Sequence, residues 1–339
     1  MFKQPLVIIG KSHIRALAFV ALGLLLFSTV AIYLVEHSVN EQLQTFGDCL
    51  WWAMVTMSTV GYGDKVPTTV VGQIVAAITM LTGPVLLVTL VSSAGLSMYE
   101  ERRKAVCGEL KIESKNHIIL CGWNPKARDI ITELRLSAEF HKYPITIIDD
   151  QIDENPIDEG NVSFVHGDAC EVSVLEQANI REAKFAIVIA SDGTSAADRK
   201  TVLTILAVET LNPSILSCAE LNDPANEGHL RRAGCDVVIN TTILTSKLLA
   251  MSIEDHTIGK VITELVTHAQ GNEICRLQLP SNYQGKPFQE LFEQLKRVHN
   301  VIVIGVERKG ECSINPTPDF ALEAGDFLMV ISGKNSFVR

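Results

Sequence analysis

The sequence predicts a membrane α-helical unit with two spans and a short re-entrant helix, fused to a Rossmann-like α/β lobe and a small α+β lobe. Two long apolar stretches lie in the first third of the 339 residues, which is typical of membrane helices. From residue 117 onward, buried-strand patterns alternate with helical patterns, which favours a parallel sheet covered by helices. After residue 257, short strand patterns surround one helix. The predicted boundaries are therefore 1–104, 105–256 and 257–339.

The two apolar stretches, residues 14–35 and 70–98, each supply the roughly 20 residues that a spanning helix needs. A cleaved signal peptide is the alternative for the first stretch, but its apolar core would be shorter. Basic residues precede the first stretch and follow the second, so we expect both termini in the cytoplasm. We therefore expect a multi-pass protein of the cell (plasma or inner) membrane, in contact with membrane lipid. These basic residues are Lys3, Lys11, Arg15, Arg102, Arg103 and Lys104.

Between the two stretches, residues 46–58 are apolar and include Trp51 and Trp52, but they are too short to cross a bilayer as a helix. Such a segment fits a re-entrant pore helix that is buried in protein rather than in lipid. It leads directly into a Thr-Val-Gly-Tyr-Gly sequence, which is the sequence of potassium selectivity filters. The predicted filter consists of Thr59, Val60, Gly61, Tyr62, Gly63 and Asp64.

The chemistry of a filter explains these residue types. Glycine at alternate positions permits backbone angles that other residues avoid, so the carbonyls from Thr59 to Tyr62 can face one axis and bind K⁺. Tyr62 can brace against Trp51 or Trp52, and the carboxylate of Asp64 can attract cations at the outer mouth. One chain supplies one strand of the filter, so we expect a homotetramer. A non-selective cation channel is the alternative, although such filters usually change the Gly-Tyr-Gly core.

Gly83 and Pro84 lie about halfway along the second stretch. Proline inside a helix removes a hydrogen bond and kinks the chain, and a neighbouring glycine adds flexibility. We interpret the pair as a gating hinge, at which the inner helix bends to open a pore. The alternative is that small residues simply allow close helix packing, as is common in membranes.

The α/β lobe opens with a strand, a turn at residues 122–127, a helix and a second strand that ends in Asp149. This order predicts a Rossmann-type unit, whose helix N-terminus can receive a phosphate and whose acid can bind ribose hydroxyls. Two glycines of the usual fingerprint are replaced, so an empty pocket and a merely solvated Asp149 stay open as alternatives. The candidate residues for NAD, ADP or another adenine nucleotide are Gly122, Trp123, Asn124, Ala127, Arg128, Asp149, Asp150, Gly167 and Asp168.

Composition excludes several classes of function. The net charge of −10, with its acidic excess after residue 100, argues against a nucleic-acid partner. The eight cysteines form no CxxC pair, so we expect reduced thiols in a cytosolic domain. A membrane-tethered dehydrogenase would need a proton relay that the sequence does not offer, so we expect no enzyme. A membrane-tethered nucleotide-binding regulatory subunit of a potassium transporter is a further alternative, but such subunits typically lack a filter.

Over nearly its full length, the chain resembles the two-span potassium channels with an RCK (regulator of potassium conductance, TrkA-N) domain, including the archaeal calcium-gated channel. In that family, RCK domains pair and assemble into a cytoplasmic gating ring, and ligand binding expands the ring and pulls on the inner helices. The helix that pairs neighbours corresponds to residues 241–254. The resemblance rests on residues 59–64, Gly72, Gly83, 119–123, 165–168 and 230–236.

The resemblance also bears on a divalent cation. The main calcium site of the archaeal channel uses three acids, of which two fall on Ala190 and Cys218 here and only the third matches, at Glu220. Glu220 is therefore the candidate ligand for Ca²⁺ or another divalent cation. Acids at the inner mouth of that channel are replaced near Thr89 and Ser92. We therefore expect gating by an adenine nucleotide, a divalent cation or both.

Overall fold

The computed structural model describes residues 11–267 and 271–333. The chain divides into two compact units, Met1–Val106 and Cys107–Arg339, so the first boundary falls two residues beyond the predicted one. Each unit is described by itself below.

The first unit contains three helices. Helices α1 (Lys11–Glu36) and α3 (Val70–Val106) are long and apolar enough to cross a membrane, and the short α2 (Phe46–Met57) lies between them in sequence. Residues 99–104, most of them charged, follow the second apolar stretch and continue α3 as helix rather than forming a linker. They are good helix formers, and Arg103 and Lys104 lie in the last turn, where positive charge is favourable.

The carboxylate of Glu36 joins the end of α1 to the start of α3. This buried side chain accepts hydrogen bonds from the backbone amides of Thr68 (3.0 Å) and Thr69 (2.9 Å), and from the side-chain amide of Asn40 (2.8 Å). A Cβ on Gly72 would clash with the Glu36 carboxylate and crowd Thr69 and Pro67, so a larger residue there would displace these groups. A buried charge is stable only when hydrogen-bonded, and here Asn40 and the two threonines directly before α3 supply the donors.

Gly83 is a packing residue in this structure. Helix α3 runs without interruption through Pro84, and a Cβ on Gly83 would lie 2.7 Å from Cγ and 3.3 Å from Cα of Met57, the last residue of α2. The closeness of these helices is what the packing alternative requires. The gating hinge at Gly83 and Pro84 stays a prediction.

The second unit begins with a parallel six-stranded sheet of order β3-β2-β1-β4-β5-β6, as expected for a doubly wound lobe. The order reverses between β1 and β4, which places a crevice at the carboxyl ends of these strands. The strands are β1 (Ile118–Cys121), β2 (Ile145–Asp149), β3 (Val162–His166), β4 (Phe185–Val188), β5 (Leu216–Leu221) and β6 (Val237–Asn240). The helices are α4 (Pro125–Leu136), α5 (Val172–Gln177), α6 (Ser195–Leu211), α7 (Glu227–Arg232), α8 (Thr241–Glu254) and α9 (Ile258–Val266).

A small α+β lobe follows, with its own apolar core. Its four strands form an antiparallel sheet of order β7-β10-β8-β9, packed against one helix, which confirms the predicted fold of this lobe. Arg308 binds both carboxylate oxygens of the buried Asp326, at 2.8 Å each, and lowers the pKa of that carboxyl. The elements are β7 (Asn272–Gln278), α10 (Phe288–His299), β8 (Ile302–Arg308), β9 (Glu311–Ile314) and β10 (Phe327–Gly333).

Asp198 fixes the first turn of α6 to the segment that follows β5. Its fully buried carboxylate accepts hydrogen bonds from the backbone amides of Asn222 (3.0 Å) and Asp223 (2.8 Å), and from the side-chain amide of Asn226 (3.1 Å). Burial works against the charge, but these donors outweigh it and lower the pKa of Asp198. The position of α6 relative to the sheet edge depends on these contacts.

We expect Asp198→Ala to lower the melting temperature of the purified full-length protein, because each buried amide left without an acceptor costs about 1–3 kcal/mol. The pKa of Asp198 is lower in the folded state, so its stabilisation is present above the unfolded pKa of about 4 and is lost as the pH falls further. The deficit of the variant should therefore shrink in acid. Thermal melts across pH, with the exposed Asp158→Ala as control, check this, and an equal deficit at every pH would contradict it.

Candidate functional site

The predicted filter has an alternating backbone. Thr59, Gly61 and Gly63 have positive φ angles of 61°, 58° and 72°. In an extended strand, successive carbonyls point to opposite sides, whereas a reversal of φ at every second residue turns them to the same side. The left-handed conformation suits the two glycines and is uncommon for Thr59, so the segment must be held in place by its surroundings.

The pore helix braces the filter through Trp51. Its indole Nε1 donates a hydrogen bond to Asp64 Oδ2 (3.0 Å), and its ring stacks on Tyr62 with centroids 6.2 Å apart and planes 8° from parallel. Trp52 is instead buried in the core of the first unit. The tryptophan contact expected for Tyr62 is therefore made by Trp51, and the carboxylate of Asp64, expected to face cations, is also a structural acceptor.

Lys65 adds a second brace that the sequence analysis missed. Its ammonium forms an ion pair with Asp48 of α2 and donates to the carbonyl of Gln42 (3.3 Å). Asp48 in turn completes a capping box with Thr45 at the start of α2. A lysine directly after the filter, with an acid in the first turn of the preceding helix, is a signal that could have revealed this pair.

A second candidate site lies in the crevice of the parallel sheet, where the strand order reverses. Residues that line it include Gly122, Trp123, Asp149, Asp150, Gly167 and Lys200. The structure thus brings together five of the nine predicted nucleotide-binding residues from the ends of three strands. In open α/β sheets, ligands bind at this position.

Asp149 is not a solvated strand end, so that alternative was wrong. Its side chain is buried, and its carboxylate accepts hydrogen bonds from the backbone amides of Trp123 (2.7 Å), Gln151 (2.7 Å) and Ile152 (3.2 Å). These contacts hold the turn after β1 against the end of β2. Asp149 therefore shapes the crevice, while Asp150 faces into it.

The turn after β1 departs from expectation at Arg128. Asn124 caps α4 by accepting from the backbone amide of Ala127 (3.2 Å), and its side-chain amide donates to the carbonyl of Ala190 (3.1 Å). The exposed Arg128 was a candidate for binding the nucleotide, but its guanidinium lies over the Trp123 ring, 5.7 Å from the centroid, and it does not line the crevice. The first turn of α4 directs its side chain away from the sheet edge.

Gly122 is required by packing as well as by any ligand. Its φ is +97°, and a Cβ would lie 2.9 Å from Cγ1 and 3.1 Å from the carbonyl oxygen of Ile189. The turn after β1 can therefore pass close to the end of β4 only with glycine at this position. Its presence in the sequence does not by itself indicate a phosphate.

Lys200 is the residue of the crevice that sequence reasoning missed. Its ammonium lies 3.0 Å from Asp150 Oδ2 and 3.4 Å from Asp168 Oδ1. Burial opposes both charges, but hydrogen bonds from Gln151 and Lys200 lower the pKa of Asp150, and the two carboxylates raise the pKa of Lys200. A lysine in the second turn of a helix gives no sequence signal of a partner 50 residues earlier.

Glu220, the candidate divalent-cation ligand, is already neutralised. This buried carboxylate forms an ion pair with Lys126 and accepts from the backbone amide of Ala190 (3.1 Å) and the hydroxyl of Thr241 (3.1 Å). Within residues 11–267 and 271–333, no group of three His, Cys, Asp or Glu side chains is arranged to hold a metal ion. The cation site at Glu220 stays a prediction, which these contacts disfavour.

We expect Lys126→Met to destabilise the protein, because it leaves the buried carboxylate of Glu220 without its counter-ion. The loss should be about 1–3 kcal/mol, since Lys126 itself is half exposed. Thermal melts should show a lower melting temperature for Lys126→Met than for the wild type. The melting temperature of Lys115→Met should be unchanged, because its partner Glu182 is at the surface. If both variants melt like the wild type, Lys126 does not neutralise Glu220.

Comparison with known proteins matches one family to each of the two parts of the chain that carry a candidate site. An ion-channel family matches residues 19–100, which include the filter, and the TrkA-N domain family matches residues 118–241, which include the crevice. The chain is 28% identical over 310 residues to the Bacillus subtilis (strain 168) protein YugO, covering 91% of this chain and 92% of that protein. It is also 28% identical over 309 residues to the calcium-gated potassium channel TvoK of Thermoplasma volcanium, covering 88% and 86%.

Among solved structures, the GsuK channel bound to NAD matches with a TM-score of 0.53 and 19% identity, covering 95% of this chain. This chain spans 57% of the length of that channel, so the match shows the fold alone. The two matched domains, in this order along the chain, are accompanied by the two apolar helices and the doubly wound sheet. The chain is therefore a potassium channel in which an ion-channel domain is followed by a TrkA-N (RCK) regulatory domain.

Proposed function

We propose that this potassium channel is a homotetramer of the cell membrane, with both termini in the cytoplasm, and that an adenine nucleotide in the crevice of its RCK domain controls its opening. The observation that supports the pore is the filter backbone, whose positive φ angles recur at Thr59, Gly61 and Gly63. Carbonyls turned to one side replace the water shell of K⁺ only when several chains surround the ion. One chain supplies one such strand, which supports four chains.

The assembly of RCK domains is supported by helix α8. None of its residues is buried, and Leu244, Leu249 and Ile253 are exposed in the single chain. Large apolar side chains that are exposed around a helix outside the membrane spans are typical of a surface that pairs with another protein. We propose that α8 pairs neighbouring subunits into a cytoplasmic gating ring.

The nucleotide is supported by the chemistry of the crevice. Asp150 faces it from the end of β2, where an acid accepts hydrogen bonds from ribose hydroxyls, and the turn at Gly122 leaves room for a phosphate. Asp149 and Asp150 favour a ribose with free hydroxyls and repel a 2′-phosphate. The GsuK channel, which has the same fold, has been solved with NAD bound. A divalent cation at Glu220 has less support, because Lys126 already neutralises that carboxylate.

Two alternatives are weaker. A regulatory subunit of a separate transporter would not need a filter, yet Trp51 and Lys65 brace this one. A non-selective cation channel is disfavoured by the intact Gly-Tyr-Gly core.

We expect Gly61→Ala to abolish potassium current, because alanine resists the positive φ of this position and the carbonyl would turn away from the axis. The measurement is single-channel recording of purified protein in planar bilayers, with the reversal potential in K⁺ and Na⁺ gradients. Gly47→Ala is the matched control, since a Cβ there meets only Thr45 at 3.7 Å. The pore assignment fails if the wild type conducts Na⁺ as well as K⁺.

We expect the full-length channel to bind NAD at least about tenfold more tightly than NADP, because Asp149 and Asp150 repel the 2′-phosphate. Calorimetric titration of the detergent-purified channel measures both affinities, and Asp150→Asn should narrow the difference. If neither NAD nor ADP binds at sub-millimolar concentration, the nucleotide part of the proposal is wrong. Whether bound nucleotide changes open probability is then read from the same bilayer recordings.

A further inference from the structure

The crevice of the RCK domain is spanned by a single cationic side chain. Lys200 projects from α6, which follows β4, whereas its partners Asp150 and Asp168 follow β2 and β3. Strand β1 lies between β2 and β4 in the sheet. The lysine side chain therefore crosses the carboxyl end of β1, at the point where the strand order reverses.

The position of this side chain conflicts with an occupied crevice. A nucleotide that enters would have to pass between Lys200 and the two carboxylates, which are separated from the ammonium by only 3.0 and 3.4 Å. Breaking the two ion pairs leaves one cation and two carboxylates, all only partly exposed to water, without partners, which is unfavourable unless the ligand replaces the lost contacts. The replacement needs hydroxyl donors for the acids and an anion for the lysine.

A nucleoside with a phosphate group supplies both kinds of partner. Its ribose hydroxyls can donate to the carboxylates that Lys200 releases, and its phosphate oxygens can accept from the ammonium. A nucleoside without phosphate supplies only the first. We propose that Lys200 is a specificity-determining residue, an inference that rests on the proposed nucleotide function. In the empty crevice its ammonium pairs with Asp150 and Asp168 and blocks entry, and when a nucleotide enters, the ammonium binds the phosphate instead.

Lys200 is also held where this exchange requires it. Asp198, two residues earlier, fastens the first turn of α6 to the backbone after β5, so the base of the lysine side chain has a fixed position. Lys200 itself is about 40% exposed and Asp150 about 31%, so the ion pairs are within reach of solvent and of an entering ligand. The exchange therefore needs a movement of the lysine side chain and none of the helix.

The test is calorimetric binding of ADP and of adenosine to the full-length channel in detergent. We expect the wild type to prefer ADP, and Lys200→Met to bind ADP at least about tenfold more weakly while it binds adenosine as well as or better than the wild type. Lys200→Arg, which keeps the charge, should restore the preference. Lys115→Met, which removes a lysine from a surface ion pair, should not change it.

A measurement on the wild type alone guards against a variant that fails to fold. Salt weakens partly exposed ion pairs, so raising the KCl concentration should weaken ADP binding but strengthen adenosine binding. An unchanged preference for ADP in a folded Lys200→Met variant, or adenosine affinity that falls with salt, would overturn the role of Lys200 and leave the nucleotide function intact. Absence of ADP, NAD and adenosine binding to the wild type would overturn both.

Discussion

The carbonyls of the filter can face one axis only while every second residue keeps a positive φ, and this backbone conformation needs contacts with its surroundings to be stable. Two of the three positions are glycines, but Thr59 adopts a conformation that β-branched residues rarely occupy. The strain is balanced by contacts outside the filter: the indole of Trp51 on Asp64, its ring on Tyr62, and the ion pair of Lys65 with the pore helix. The rest of the first unit positions these contacts.

Behind the filter, buried polar groups set the distances between helices. Glu36 at the end of α1 accepts hydrogen bonds from the two threonines directly before α3, and Gly72 leaves room for that carboxylate. Farther along α3, Gly83 allows the end of the pore helix to approach closely. A helix that is both a packing partner of the pore helix and a continuous rod to Val106 can transmit a displacement along its length.

In the second unit, carboxylates at the sheet edge are satisfied from within the chain. Asp149 holds the turn after β1, Glu220 pairs with Lys126, and Asp150 pairs with Lys200. The two lysine–carboxylate pairs have different consequences for ligand binding. The Lys126 pair is buried on the carboxylate side and competes with a divalent cation, whereas the Lys200 pair is solvent-accessible and can be exchanged for a charged ligand.

Local sequence patterns were enough to predict the filter motif, the two spans, the order of strands and helices along the chain, and the acid at the end of β2. These features depend on local chemistry: glycine at alternate positions, uninterrupted apolar runs, and the periodicity of buried residues. Such patterns could not determine that Arg128 turns away from the crevice, because the direction of a helix side chain depends on how α4 lies on the sheet. The partners of Asp64, Asp150 and Glu220 lie 13, 50 and 94 residues away along the chain, so they become known only from the folded structure. Ion pairs over such separations are set by folding, since charge alone does not say which of many opposite charges will be nearest.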